Sequence, residues 1–288
     1  MAYANPDALV GTEWLAAHLD DPGIRIVDGT YMMPMWNRNA RAEHEARHIP
    51  GAVLFDIDAV SDNSNPLPHM LPSAEEFATH ATALGLDDDA RIIVYDAHGM
   101  MSAARVWWTL RVFGHAKVAV LDGGLPKWVA EGRPVESGPA RPRAGRFTAR
   151  LAGDRVRDAA TILADIPARR EQIVDARAAG RFTGEEEEVW PGRRRGHIPG
   201  SLNLPFTELL DPATKTFLPA EALRARMDAA GIDATRPVVT SCGSGVTAAV
   251  IALALHLVGR DDVSLYDGSW AEWGLREDLP VETGPARK

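Results

Sequence analysis

The chain holds one cysteine, Cys242, followed by Gly243, Ser244, Gly245, Val246 and Thr247. Two glycines and two hydroxyls in five positions let the backbone turn its N–H groups toward a common point and add side-chain donors there. A sulfur anion is the group such a loop suits. The run before it, "RPVVTS", is β-branched, and the run after it, "GVTAAVIALALHLVG", reads as an apolar helix. Cys242 then lies at the carboxyl end of a strand and ahead of a helix N-terminus, where open α/β sheets place ligands and where negative charge is favoured. Such surroundings bring cysteine pKa values from about 8.5 to roughly 3.5–7.5, so a thiolate nucleophile at neutral pH is physically reasonable. A cysteine acting only as a small buried hydrophobe does not require this flanking sequence. A cysteine phosphatase would place an arginine six positions after the nucleophile, and position 248 is Ala.

The elements that position this loop occur twice. At a shift of about 146 residues, "IRIVDGT" aligns with "EQIVDAR", "RHIPGAVLFDI" with "GHIPGSLNLPF", and "VAVLDGGLPKW" with "VSLYDGSWAEW". Between them "SAEEFATHATALGL" and "PAEALRARMDAAGI" read as amphipathic helices ending in Gly, each followed by a short strand, "RIIVYD" or "PVVTSC". The alternation predicts an α/β fold, duplicated, with each half a mostly parallel sheet flanked by helices. The expected boundaries are a first domain over 1–137, a Pro-, Gly- and Arg-rich linker over 138–154 with a short strand at "RFTARL", and a second domain over 155–288. Asp96 falls opposite Cys242, so the first copy lacks the thiol and is expected to serve as scaffold and cavity wall.

Composition removes several function classes. With 31 basic and 40 acidic residues the formal charge is −9, which argues against a nucleic-acid partner. The longest apolar run is too short to span a bilayer and the start carries no signal-peptide pattern, so no membrane association and a cytoplasmic location are expected. A lone cysteine forms no internal disulfide, in keeping with a reducing compartment, and leaves no second thiol to resolve an intermediate. His44 and His48 stand four apart without an obvious third ligand, and His48 recurs as His197 before "IPG" in the second copy, which points to a fold role and to no metal site. Trp107 and Trp108 are expected in the first-domain core, with Trp36 a candidate for the cleft wall.

The duplicated pattern, with "CGSGVTA", "HIPGAVLFDID", "VWWTLRVFGH", "LDGG", "GRF", the second "GHIPG" and "YDGSWAEW", resembles the two-domain rhodanese-type sulfurtransferases over nearly the whole chain, and within them the 3-mercaptopyruvate branch. The resemblance implies two tandem rhodanese-like domains, no cofactor, a Cys242 persulfide intermediate, and an external thiol acceptor such as a thioredoxin-like dithiol. It implies that backbone N–H groups of the loop, from Gly243 through Gly245, Val246 and Thr247, hold the sulfur, and that Arg181 binds the substrate carboxylate. The competing role for Arg181 is an ion pair with the acidic run at 185–188. A second family arginine belongs nine residues further on, where this chain has Trp190; Arg193, Arg194 or Arg195 is the expected replacement. Asp58 and His69, eleven apart, match a pair that approaches the loop serine, giving an expected Asp58–His69–Ser244 array for proton transfer. Thiosulfate-using relatives characteristically carry Arg and Lys after the cysteine; Gly243 and Ser244 make the loop neutral, which suits a carboxylate-bearing donor over a compact dianion. The alternatives are a thiosulfate sulfurtransferase and a persulfide carrier loaded by a partner enzyme.

Overall fold

The computed structural model describes residues 2–286 and contains two five-stranded sheets. The first is built from β1 (Leu9–Val10), β2 (Ile24–Asp28), β3 (Val53–Leu54), β4 (Arg91–Tyr95) and β5 (Val118–Leu121), in the order β1-β5-β4-β2-β3. The second repeats the order as β6-β10-β9-β7-β8, from β6 (Val156–Arg157), β7 (Gln172–Asp175), β8 (Leu202–Asn203), β9 (Val238–Ser241) and β10 (Val263–Tyr266). Every strand pairing is parallel. Parallel strands covered by helices on both faces are buried on both sides, as all four residues of β9 are. The helix Ala74–Ala83 starts on a capping box, with Ser73 and Glu76 satisfying each other's backbone N–H groups.

The two halves share one apolar core. The helix Ala248–Leu257 is buried on every side except at His256, because it packs on β9 and β10 with one face and on the first-half helix Ala103–Val112 with the other. Satellite clusters lie on the outer face of each sheet, around Trp128 in the first half and around Trp270 and Trp273 in the second. His48 and His197 play matched parts: each exchanges two backbone hydrogen bonds, with Glu136 and Glu282 respectively.

No strand forms at "RFTARL". The backbone there is fastened to loops of the first half instead, with Arg146 O accepting from Asp88 N, Arg150 N donating to Phe113 O and Ala152 N donating to Val112 O, while Phe147 is buried against Phe77. Its hydrogen bonds go to turns and a helix end, so no ladder is available to it.

One buried carboxyl at the seam between the halves is expected to cost stability at neutral pH. Asp122 accepts a hydrogen bond from Phe217 N across the seam, yet burial pushes its carboxyl up to about 6. A carboxyl with a folded-state pKa above its ordinary value of 3.8 makes the fold most stable where it is protonated, and that stability is lost as pH rises through 6. Asp122→Asn keeps an oxygen acceptor for Phe217 N. It is expected to raise stability by about 2 kcal/mol at pH 7.5 and to change it little at pH 4, read from thermal unfolding at both values.

Candidate functional site

Cys242 follows β9 directly and is 2% exposed. Its N–H donates to Ser269 Oγ and its carbonyl accepts from Trp270 N, so the next strand-to-helix connection fixes its backbone. Gly245 has φ +77°, and a Cβ there would lie 2.8 Å from Arg105 Nη1 and 3.1 Å from the Asp267 carbonyl. Only glycine fits that turn.

The duplicate loop shows what this turn is built to hold. In the first half Asp96 Oδ2 accepts three backbone hydrogen bonds at 2.8 Å, from Met101, Ser102 and Ala103, and Oδ1 accepts a fourth from His98. A carboxylate thus fills that cradle. In the second half, among the described residues, no protein group accepts from the N–H groups of residues 243 to 248. The cradle beside Cys242 is therefore open to an anionic sulfur.

Cys242, Gly243, Ser244, Val246 and Thr247 line a cavity of about 230 Å³. Arg181 lines it too, reached from the short helix Ala179–Thr183, and the Cβ position of Gly243 lies 3.1 Å from Arg181 Nη2. Arg181 pairs with the acidic run and also reaches the cavity wall. Its Nε and Nη2 bond Glu188, the last residue of the acidic run, while Nη1 has no hydrogen-bond partner among the described residues. The Glu188 side chain is buried and also bonds Arg177 Nη1 at 2.5 Å, and Arg177 grips Asp175 with Nε and Nη2. Burial works against the Arg177 charge, but the Asp175 and Glu188 carboxylates outweigh it and hold its pKa above the ordinary value.

The structure brings Asp58, His69 and Ser244 together across the two halves. His69 Nδ1 lies 3.0 Å from Ser244 Oγ, and Nε2 lies 3.1 Å from Asp58 Oδ1. The latter approach lacks hydrogen-bond alignment, and the Asp58 side chain is 66% exposed, so its charge is screened by water. His69 has φ +62°, a strained conformation for a non-glycine residue, held in place by Arg105 Nη2 bonding its carbonyl.

The 193–195 cluster does not supply the missing cation. Arg193 bonds the carbonyls of Ala271 and Pro191; Arg194 bonds those of Trp273, Gly274, Arg276 and Leu279; Arg195 pairs with Glu187 on the surface. The helix Ser269–Trp273 ends with carbonyls that have no partner in the helix, and two guanidiniums are consumed in satisfying carbonyls in and just beyond it. None of the three lines the cavity. Trp190 stands in the wall where a cation was expected, its ring edge-on to His69 at 6.0 Å.

Several site residues carried no motif. Tyr31, Met33, Met101 and Phe206 complete the apolar wall with Trp36, which lies in the cavity wall as expected. Burial, with Asp58 nearby, pushes the Tyr31 phenol well above its ordinary range, so it remains neutral. Arg105, on the helix Ala103–Val112, bonds the carbonyls of His69 and Gly245 and pairs with the buried Asp267, whose other oxygen accepts from Leu71 N. The available signal was one charge inside the apolar run "AARVWWTL".

A rhodanese-like domain profile matches residues 11–131 and again residues 158–276, and the chain belongs to the rhodanese family. The 3-mercaptopyruvate sulfurtransferase of Escherichia coli K12 is 46% identical over 275 residues, 95% of this chain and 97% of that one. The thiosulfate sulfurtransferase of Bos taurus is 42% identical over 283 residues, 96% of this chain and 94% of that one. The crystal structure of SseA from Escherichia coli, described as a 3-mercaptopyruvate sulfotransferase, superposes with a TM-score of 0.84 at 43% identity, over 92% of this chain and 99% of that one.

Proposed function

We propose that the chain is a 3-mercaptopyruvate sulfurtransferase. The observation that carries the reading is the sole thiol, Cys242, at the base of a cavity in a loop whose duplicate already cradles an anion. Cys242 thiolate attacks the donor sulfur, the carbon–sulfur bond breaks, and pyruvate leaves as its enolate. A cysteine persulfide remains, held by the loop N–H groups. Arg181 Nη1 orients the donor carboxylate. Ser244, in hydrogen-bond reach of His69, delivers a proton to the departing carbon framework, with Asp58 beside the far nitrogen of the His69 ring. The sulfane sulfur then passes to an external thiol, for which a thioredoxin-like dithiol in a reducing, cytoplasmic setting is suited.

No cofactor enters these steps. Among the described residues no group of three His, Cys, Asp or Glu stands arranged to hold a metal, and no helix is long and apolar enough to cross a membrane.

Thiosulfate is the second reading, favoured by the 42% identity to the bovine enzyme. Two initial rates with the purified chain separate them: pyruvate release from 3-mercaptopyruvate with a thiol acceptor, and thiocyanate formation from thiosulfate with cyanide. A kcat/KM at least about tenfold higher for 3-mercaptopyruvate is expected from the neutral loop. A preference for thiosulfate would reverse the assignment, and no pyruvate release from the chain alone would favour the persulfide carrier.

A further inference from the structure

The two guanidiniums in the cavity wall are already balanced by carboxylates behind them. Arg177 and Arg181 contribute two positive charges, and Asp175 and Glu188 contribute two negative ones, with Glu188 bonded to both guanidiniums. Among the described residues, the one guanidinium edge of this pair left for an incoming anion is Arg181 Nη1. A donor with one negative charge can take that edge. A second charge on the same donor would be desolvated without a cation to meet it, which is costly in a cavity walled by Tyr31, Met33, Trp36, Met101, Val189 and Trp190.

Trp190 sits at the decisive place in that wall. Its Nε1 lies 3.8 Å from the Cβ position of Gly243, beside the Arg181 guanidinium, and its N–H has no acceptor among the described residues. It offers one neutral donor and an aromatic edge where a second cation would give a second anionic charge a partner. Trp36, 38% exposed, continues the apolar wall, with Met35 exposed beside it in the chain.

We propose that Trp190 and the apolar wall make this site select singly charged organic sulfur donors with an apolar body over doubly charged inorganic ones. The inference deepens the sulfurtransferase reading and rests on it for Cys242 as nucleophile, but not for 3-mercaptopyruvate as donor. Organic thiosulfonates isolate the rule, because they share the sulfane sulfur of thiosulfate while carrying one charge and a chosen apolar group. Cys242 thiolate attacks the outer sulfur and forms a new S–S bond; the old S–S bond breaks and a sulfinate leaves with its electron pair. Cyanide then takes the persulfide's outer sulfur as thiocyanate and restores the thiolate.

The test measures thiocyanate formation from thiosulfate, methanethiosulfonate and benzenethiosulfonate by the wild-type chain and by Trp190→Arg, Trp190→Phe and Trp190→Ala. In the wild type, kcat/KM should rise in that order, with benzenethiosulfonate at least about tenfold above thiosulfate. Trp190→Arg should shrink that ratio at least about tenfold, chiefly through a lower KM for thiosulfate. Trp190→Phe should keep the preference for the aryl donor over the methyl donor, and Trp190→Ala should reduce it. Thiosulfate preferred by the wild type, a ratio unmoved in both Trp190→Arg and Trp190→Ala, or no turnover of any thiosulfonate would each overturn the proposal. Pyruvate release from 3-mercaptopyruvate, run in parallel, separates the two readings: its absence with a normal thiosulfonate series removes that donor alone.

Discussion

Cys242→Ser is expected to lose sulfur transfer from every donor by at least about 10⁴-fold, because no other thiol exists in the chain to form the persulfide. Incubating the wild type with donor and no acceptor should add the mass of one sulfur atom, and the variant should gain none. The change is nearly isosteric, so thermal unfolding should show a folded protein. A second variant separates chemistry from fold more sharply. Cys242→Asp places in the second half the residue that the first half carries at Asp96, where three N–H groups converge on one carboxylate oxygen. That variant should be inactive and at least as stable as the wild type above about pH 5, where the carboxylate is ionised. Turnover retained by Cys242→Ser would overturn the nucleophile. A strongly destabilised Cys242→Asp would mean the two loops are not equivalent anion cradles.

What the sequence revealed and what it hid follow from one difference. The duplication, the strand–loop–helix around Cys242 and the Asp58, His69 and Ser244 set were legible because each is written in local pattern or in spacing that the repeat and the family resemblance share. The destination of a long side chain is not local. Arg193, Arg194 and Arg195 form a basic run in the sequence, but two of them are drawn to carbonyls in and just beyond a short helix, a demand that comes from residues nearly eighty positions away. Arg181 offered two destinations in sequence; it pairs with Glu188 through two nitrogens, and it stands in the cavity wall with the third without a partner among the described residues. The strand expected at "RFTARL" failed for a similar reason. Its alternation suits a sheet, but its backbone partners are turns and a helix end of the first half. The role of the first half as cavity wall was inferred from the loss of the thiol at Asp96; the helix residue by which it grips the loop was not.

Arg105→Met is expected to lower kcat at least about 100-fold for 3-mercaptopyruvate while changing KM much less. The residue is a positioning group and does not reach the donor: it does not line the cavity. From a helix of the first half it holds the carbonyls of His69 and Gly245 and the carboxylate of Asp267, and its guanidinium lies over the Trp108 ring at 4.6 Å. The first contact keeps His69 in its left-handed conformation, and the second fixes the turn that aims the loop N–H groups. In the proposed mechanism both act on the departing group and the thiolate, and neither acts on the Arg181 edge assigned to the carboxylate. Removing one partner of a buried ion pair costs about 3–5 kcal/mol because the other is left unpaired, so Arg105→Met also threatens the fold. Arg105→Lys keeps the charge for Asp267 but cannot reach all three acceptors with one ammonium, and Arg105→Met combined with Asp267→Leu removes the stranded carboxylate. Both should fold, with kcat still depressed and KM near that of the wild type. A variant that is folded and has wild-type kcat would show that His69 and the Cys242 loop hold their geometry without Arg105. A loss confined to KM would place its effect on donor binding.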